Sequence, residues 1–365
     1  MTIQKAKIKV KIAISNALHF FRSLNLQQEI RELKKKIQSA SISNVEKKQL
    51  RSLLKCGVRY KEYITEFLTC DVQSIGRIED LERMNCIVVC VVKNDLMRMK
   101  LFLEYYRNLG VKHFAILDDQ SSDGTHEYLE KQEDVVLFKS DKAYSTVRRQ
   151  VWINKIIQSI GYNKWYLIVD SDELFDYKNS ASISLPMLVD QLAAEKVYCV
   201  KALMLDMFSA KSLFADDVKS YEDICRVCNM FLPKYSFSSR SFHIFGGARE
   251  ELLKSDTKVH APTASKYPLI YMRPSVIAIN SHNNYPYSEN EILKARAVLR
   301  HYKFLPQDRQ KYLERIEKQN FYNGSSEYKA YFEAEKQNVF QSISSGMKEY
   351  TGFDSVENLD VIGVD

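Results

Sequence analysis

Four acids follow a short apolar run in the segment WYLIVDSDELFDY, residues 165–177. They are Asp170, Asp172, Glu173 and Asp176. Carboxylates this close together repel one another unless a cation or hydrogen-bond donors compensate their charge. Hard divalent cations such as Mg²⁺ and Mn²⁺ take carboxylate oxygens and keep substrate phosphates as further ligands. The segment therefore predicts a divalent-metal site on Asp170 and Asp172, with an acidic surface turn as the simpler alternative.

Strand-like and helix-like segments alternate along the chain around these acids. The predicted strands are 86–92, 111–119, 135–140 and 165–170, and the predicted helices between them are 96–110, 125–132 and 145–161. This alternation is typical of βαβ units and an α/β fold with a mostly parallel sheet. Ligands of such sheets bind beyond the carboxyl ends of the strands, where Asp170 and Asp172 are expected.

A second acidic loop, LDDQSSDGTHEYLE, covers residues 117–130. Its acids fit the spacing of an EF-hand calcium loop that starts at Asp119. An EF-hand needs a helix entering the loop, however, and the preceding VKHFAIL is strand-like. The loop is therefore interpreted as a strand-end loop rather than a calcium sensor.

The chain has an ordinary globular composition but an uneven charge. Hydrophobic residues at 45% and charged residues at 27% exclude a disordered or fibrous protein. Residues 1–61 carry fifteen Lys or Arg against three Glu, whereas the net charge of all 365 residues is only +7. Such a segment suits an anionic membrane surface, and a solvated helical pair is the alternative. Its scarcity of aromatic residues argues against nucleic acid as a partner.

The chain has neither a secretory signal nor an apolar run long enough to span a bilayer, so a cytoplasmic location is expected. Seven cysteines without framework spacing agree with a reducing compartment. The Cys225–Cys228 pair lacks the further ligands of a zinc site. Three regions are predicted: a basic helical extension over 1–80, an α/β domain over 81–305 and a helical region over 306–365.

Several short segments, taken together, resemble a known family. They are KND (93–95), LDDQSSDG, a helix with Gln150 and Asn154, VDSDELF, HIFGGAREELL (243–253), PLIYMRPSVIAINSH (268–282) and LRHYKF (299–304). In this order they resemble the family 2-like glycosyltransferases of GT-A fold, in the bacterial branch with a DxxSxDG loop and a DxDE metal motif. The resemblance covers about residues 84–305. The sequence departs from the pattern at Asp95, at Glu251 and at Leu174.

The resemblance implies a Rossmann-like GT-A domain that transfers a sugar from a nucleotide donor, expected to be UDP-linked, with Mn²⁺ or Mg²⁺ as cofactor. The metal would be held by Asp170, Asp172 and His282, with Asp172 also counted as catalytic. The implied nucleotide-sugar ligands are Lys93, Asn94, Asp118, Asp119, Arg149, Gln150, Asn154, Asp170 and Arg249, and Arg148 is a further candidate for the phosphates. His301 is expected to be a packing residue on a helix.

An inverting transferase needs a carboxylate base beside the acceptor hydroxyl. Glu250 and Glu251 are the candidates, and Asp206 is a third. The implied acceptor is a glycan or a lipid-linked sugar of a bacterial surface polysaccharide or lipopolysaccharide, at the inner face of the cell membrane. Two other functions stay open: a phosphohydrolase with Asp170 as nucleophile, and a noncatalytic nucleotide-sugar-binding module. The oligomeric state stays open too.

Overall fold

A nine-stranded mixed sheet forms the centre of the described part of the chain. The computed structural model describes residues 28–55, 60–238, 241, 243–254, 262–280, 282–286, 294–318 and 325–363. Residues 1–27 and 56–59 of the basic segment lie outside these ranges. The α/β class predicted from the alternating pattern is confirmed.

The strands are β1 (Val72–Ser74), β2 (Cys86–Val92), β3 (Phe114–Asp118), β4 (Val135–Ser140), β5 (Lys164–Ile168), β6 (Glu173–Tyr177), β7 (Cys199–Asp206), β8 (Met230–Phe231), β9 (Tyr235–Phe237), β10 (Ile244–Gly246), β11 (Ser265–Met272), β12 (Ile277–Asn280), β13 (Asn283–Tyr285), β14 (Ala297–His301) and β15 (Lys348–Glu349).

The helices are α1 (28–39), α2 (Asn44–Lys55), α3 (Lys61–Thr69), α4 (Glu79–Glu82), α5 (Leu96–Asn108), α6 (Thr125–Glu130), α7 (Thr146–Ile160), α8 (Leu185–Ala194), α9 (Asp223–Val227), α10 (Gly247–Leu253), α11 (Pro306–Lys318), α12 (Ser326–Lys336) and α13 (Val339–Ser344). A 3₁₀ turn follows at Phe353–Ser355. No helix of the described residues is both long and apolar enough to cross a membrane.

The strand order in the central sheet is β1-β4-β3-β2-β5-β11-β7-β14-β6. Strands β2, β3, β4, β5, β7 and β14 run in one direction, whereas β1, β6 and β11 run in the other. The carboxyl ends of the six parallel strands therefore share one edge with the amino ends of β6 and β11. We call this the site edge.

Strand β2 shows why the sheet is covered on both faces. Its CIVVCVV sequence is buried along most of its length, as β-branched runs of parallel sheets usually are. Val88 and Cys90 pack in the core that contains α5 and α8, whereas Ile87 and Val89 pack in the core that contains α7. Alternate residues of one strand thus anchor two helical layers.

Both predicted flanking regions pack on the central domain. Leu50, Leu53 and Ile64 of α2 and α3 lie in the same core as α7, and β1 adds a strand to the edge of the sheet. The 1–80 region therefore contributes a strand as well as helices. Helices α12 and α13 pack on α10, and α11 packs on α12, around an aromatic cluster that includes Phe304 and Tyr331.

Asn154 joins α7 to β12. Its Nδ2 donates to the carbonyl oxygens of Gln150 and Ala278, each at 2.7 Å, and its Oδ1 accepts from the Ala278 N–H at 3.1 Å. The side chain is buried, so its hydrogen-bonding capacity serves these backbone groups. In this position Asn154 stabilises the packing of α7 and is saturated by protein partners.

We therefore expect Asn154→Ala to lower the free energy of unfolding by about 1–3 kcal/mol, because both backbone groups of Ala278 lose a buried partner. Urea denaturation followed by circular dichroism measures this. Asn108→Ala, at an exposed position of α5, is the matched control and should change stability by less than about 0.5 kcal/mol. Equal effects of the two substitutions would contradict this role.

Candidate functional site

The acidic segment forms the short connection between β5 and β6. Strands β11, β7 and β14 lie between these two strands in the sheet, so residues 169–172 pass over the ends of three strands at the site edge. A turn closes the connection, since the Glu173 N–H donates to the Asp170 carbonyl at 3.1 Å. Each acid of the connection can therefore meet a side chain from a strand that it crosses.

Asp170 lies between two cations. Its Oδ1 accepts from Arg149 of α7, and its Oδ2 lies 2.8 Å from Lys266 Nζ of β11. Burial alone would raise the pKa of the Asp170 carboxyl, but the charges of Arg149 and Lys266 outweigh burial and hold that pKa well below its usual range. Asp170 is therefore a permanent anion whose charge the protein itself compensates.

Glu173 shares Lys266 with Asp170. The Lys266 Nζ donates to Glu173 Oε1, and the Asp170 N–H donates to Glu173 Oε2 at 3.1 Å. Burial raises the pKa of Glu173, which is 1% exposed, although Lys266 opposes this shift. Lys266 thus holds two of the acids together at the site edge.

Asp172 begins a line of alternating charges. Its Oδ2 lies 3.3 Å from His301 Nε2, and His301 Nδ1 lies 2.7 Å from Asp206 Oδ1. The same Asp206 oxygen is 2.7 Å from Arg249 Nε. Register explains the position of His301, because β14 places it opposite Asp206 of β7 and Glu173 of β6. The prediction that His301 lies on a helix is therefore wrong.

The pKa values along this line follow from its contacts. Burial would lower the pKa of His301, but the carboxylates of Asp172 and Asp206 raise it. Burial would likewise raise the pKa of Asp206, but Arg249 and His301 lower it to about 2. The pKa of Asp172 is also well below its usual range, because His301 and Arg98 outweigh its burial. The carboxylates are ionised and favour a proton on the imidazole, which a cation bound at His301 Nε2 would displace.

Asp172, Glu173 and His301 each offer one ligand atom, and these atoms lie within 4.8 Å of one another. Among the described residues this is the group whose donors fit a divalent cation. Mixed oxygen and imidazole ligands suit Mn²⁺ and similar metals. The contact of His301 Nδ1 with Asp206 is typical of a ligating histidine, whose second nitrogen is usually held by a carboxylate. The donor set therefore fits the predicted class of metal.

The structure arranges the three predicted ligands differently. Asp172 belongs to the group of three, Asp170 is held by Arg149 and Lys266, and His282 lies outside the group. His282 Nδ1 contacts the Ser265 carbonyl at 2.7 Å and Thr263 Oγ1 at 2.9 Å. Burial and the nearby positive charge of Lys266 lower the pKa of His282 to about 3, so its ring is neutral.

The loops after β2 and β3 interlock at the same edge. Lys93 Nζ lies 3.1 Å from Asp119 Oδ2, and burial raises the pKa of Asp119 although Lys93 opposes that shift. Asn94, in the left-handed region with φ of 50°, donates its N–H to Ser121 and accepts from the Ser122 N–H. Asn94 therefore holds the acidic loop in place.

Asp118, the last residue of β3, is the first acid of this pair. It accepts from the Ser121 N–H at 3.3 Å and lies 3.1 Å from His126 Nδ1. Protein partners thus occupy Asp118, whereas the cation beside Asp119 is Lys93, whose side chain is 53% exposed. A ligand can displace such an exposed ammonium, so Asp119 is the better placed of the two acids to accept from a ligand.

Helix α7 divides its polar residues between the site and the core. Arg148 turns away and pairs with Glu66 of α3 through two contacts of 2.9 and 3.0 Å. Arg149 points to Asp170, and its buried Nη1 has no hydrogen-bond partner among the described residues. Gln150 is buried beside it. Arg149 therefore keeps an unused donor next to the acidic connection.

Helix α10 carries the acids that the sequence suggests as bases. Glu251 lies 2.7 Å from Lys234 Nζ and 2.8 Å from Lys254 Nζ, and these lysines outweigh its partial burial and lower its pKa. Glu250 lies 4.0 Å from Lys254. Arg249, the residue before Glu250, is buried and contacts Asp206.

Sequence reasoning missed Lys266 and Arg98, and it assigned His301 only a packing role. Lys266 is a cation inside the largely apolar strand SKYPLIYM, and Arg98 lies at a core-facing position of α5. A charged side chain at an apolar position is a signal for a buried partner, because an unpaired buried charge is costly. The identity of that partner, however, depends on the strand order.

A scan against protein-family models found no match for this chain, and a search of curated proteins found no significant relative.

Lys266→Met should be strongly destabilising, because the buried Glu173 would lose its main compensating charge and Asp170 would keep only Arg149. We expect a loss of about 3–5 kcal/mol in the free energy of unfolding, measured by urea denaturation at neutral pH. Lys254→Met removes an exposed lysine from its pair with Glu251 and is the matched control, with an expected loss below about 1 kcal/mol. A loss as small for Lys266→Met as for the control would show that Lys266 does not hold these acids.

Proposed function

We propose that the protein is a metal-dependent glycosyltransferase of GT-A type that moves a sugar from a nucleotide-sugar donor to an acceptor hydroxyl. One observation carries the proposal: the acidic connection 169–172 and the Asp118–Asp119 loop lie at one edge of adjacent parallel strands, in the order β3-β2-β5. Open α/β sheets bind ligands at this kind of edge. The resemblance of the motifs to family 2-like glycosyltransferases supplies the reaction.

Asp119, directly after β3, and Arg149, on α7, suit the nucleoside and the diphosphate of a nucleotide donor, respectively. Asp119 would accept hydrogen bonds from the ribose or the base, with Lys93 moving aside. Arg149 would direct its unused Nη1 to a phosphate oxygen, since a guanidinium matches the geometry of phosphate. Asn94 would act by holding the loop, and a UDP-linked donor is the one we propose.

The leaving group of such a transfer is a nucleoside diphosphate, which develops negative charge. Asp172, Glu173 and His301 would hold the divalent cation, Mn²⁺ or Mg²⁺. When bound, such a cation acts as a Lewis acid that neutralises this charge. Lys266 and Arg149 add fixed positive charge beside the same connection and are already oriented by Asp170. Preorganised charge of this kind stabilises a transition state without reorganisation.

An inverting transfer also needs a base, and Glu250 is our choice among the three candidates. Glu251 is held by two lysines, and Asp206 is 2% exposed between His301 and Arg249. Glu250 keeps a side chain that is 32% exposed, and its nearest cation is 4.0 Å away. A carboxylate with few partners can take the proton of an acceptor hydroxyl.

Two other functions compete with this proposal. A phosphohydrolase would use Asp170 as nucleophile, but both oxygens of Asp170 already face cations, which lowers their nucleophilicity. A noncatalytic binding module would use the same donor contacts without turnover. Activity assays separate the three functions, because each releases a different product or none.

We expect the wild-type protein to release nucleoside diphosphate from one donor of a nucleotide-sugar panel only when Mn²⁺ or Mg²⁺ is present. Asp172→Ala should lower the rate by about a hundredfold or more, since metal stabilisation is worth several kcal/mol. Asp190→Ala, on the exposed face of α8, is the matched control and should keep wild-type activity.

Inorganic phosphate released from small phosphate esters, with no donor turned over, would contradict the transferase and favour the phosphohydrolase. Binding of a donor without any turnover would instead favour the noncatalytic module.

The proposed acceptor is a glycan or lipid-linked sugar at the cytoplasmic face of a membrane. The described part of the basic segment supports such a location, because Lys34, Lys35 and Arg51 line a groove together with Ile30 and Leu54. Basic residues around apolar ones suit anionic lipid. Since α2 belongs to the core, substitutions test this better than a deletion.

Replacing Lys34, Lys35 and Lys36 together with Ala should weaken binding to phosphatidylserine-containing vesicles by about a hundredfold at low salt, at about 1 kcal/mol for each lysine. Co-sedimentation measures this. A control with Lys196, Lys211 and Lys219 replaced, which are exposed on other parts of the protein, should bind as wild type does. If neither wild type nor control binds these vesicles, the membrane partner is excluded.

A further inference from the structure

Arg98 is a buried cation on the core side of α5, with 2% of its surface exposed. Its Nε and Nη2 donate to the Tyr302 carbonyl at 2.9 and 2.7 Å. Its Nη1 donates to Asp95 Oδ1 at 2.9 Å, and both terminal nitrogens contact Asp308 at the start of α11. Three chain segments, the start of α5 at Asp95, the end of β14 at Tyr302 and the start of α11 at Asp308, therefore meet on one guanidinium.

Two of these segments continue directly into the proposed metal site. Asp95 Oδ2 accepts a hydrogen bond of 2.5 Å from Ser171 Oγ, the residue between Asp170 and Asp172. The Tyr302 N–H donates to the Asp172 carbonyl at 2.8 Å, directly after His301. Asp172 is thus one hydrogen bond from Tyr302, and His301 is joined to Tyr302 by a peptide bond. Arg98 holds the carbonyl of this same Tyr302.

The third segment keeps Arg98 itself in place. Asp308 Oδ2 accepts from the Leu305 N–H at 2.9 Å, which fixes the chain between β14 and α11. Arginine meets this geometry because its planar guanidinium presents five donors in a rigid fork. A lysine has one nitrogen and cannot contact Asp95, Asp308 and the Tyr302 carbonyl in the same directions.

We infer that Arg98 is a positioning residue that sets the separation of Asp172 from His301, and through it the affinity for the divalent cation. The inference rests on the metal site of the proposed function. Arg98 touches neither ligand side chain in its hydrogen bonds, so it acts through Asp95 and Ser171 on one side and through Tyr302 on the other. Ligand positions held this way stay within the narrow range that metal binding needs.

The test compares Arg98→Lys with Arg107→Lys in the full-length protein. Arg107 lies at the other end of the same helix and pairs with Asp134 at 2.6 and 2.7 Å, so both variants weaken an arginine–carboxylate contact on α5. Mn²⁺ binding is measured by isothermal titration calorimetry at a temperature where each variant is folded, as checked by circular dichroism. We expect Arg98→Lys to bind Mn²⁺ at least tenfold more weakly than wild type, and Arg107→Lys to bind it with wild-type affinity.

A folded Arg98→Lys with wild-type Mn²⁺ affinity would overturn the inference and leave the transferase proposal intact. If Arg98→Lys does not fold, Ser171→Ala removes the Ser171–Asp95 contact alone, without burying a charge. Weaker Mn²⁺ binding by Ser171→Ala supports the inference, and unchanged binding overturns it. A wild-type protein that binds no Mn²⁺ would overturn the metal site and this role of Arg98 together.

Where a donor is turned over, steady-state kinetics give an independent measurement. A positioning effect at the metal lowers kcat for Arg98→Lys while the KM for the donor changes little, and raising the Mn²⁺ concentration restores part of the rate. A general loss of folded protein would lower the rate equally at every Mn²⁺ concentration, which would overturn the inference.

Discussion

Charge compensation at the site edge is the constraint on which the rest of this structure depends. Glu173 is buried, and Asp170 and Asp172 keep only 32% and 26% of their side chains exposed, so carboxylates left unpaired here would be costly. Lys266 and His301 come from β11 and β14, the strands that the acidic connection crosses. The strand order therefore also determines the electrostatics, because it places Lys266 or His301 beside each of these acids.

The two aspartates of the connection, Asp170 and Asp172, have different roles. Asp170 orients Arg149 and Lys266, while Asp172 faces His301 at the other end of the connection. The positive side chains supply fixed charge, and the remaining oxygen and imidazole donors are those that suit a divalent cation. Both kinds of positive charge can neutralise a leaving diphosphate, so this division agrees with the proposed transferase.

The contacts of Asn154 and Arg148 illustrate how far a motif can be interpreted. Both lie on the predicted helix and both have polar side chains suited to a nucleotide, but their hydrogen bonds go to β12 and to Glu66 of α3. Helical spacing predicts which residues share a face, whereas the element that covers this face is unknown before the chain is folded. His301 shows the opposite case, because strand register turned an expected packing residue into a neighbour of Asp172.

The sequence by itself determined the α/β class, the strands and helices from β2 to β5, and the place of Asp170 and Asp172 after a buried strand. These features depend on local periodicity, which any short window of sequence contains. Only the tertiary structure decided which cation meets which acid. Lys266 is 96 residues from Asp170, and Arg98 is 204 residues from Tyr302, so these pairs depend on strand order and register. Long-range pairing of this kind leaves no periodic signal in a single sequence, and the folded sheet alone determines it.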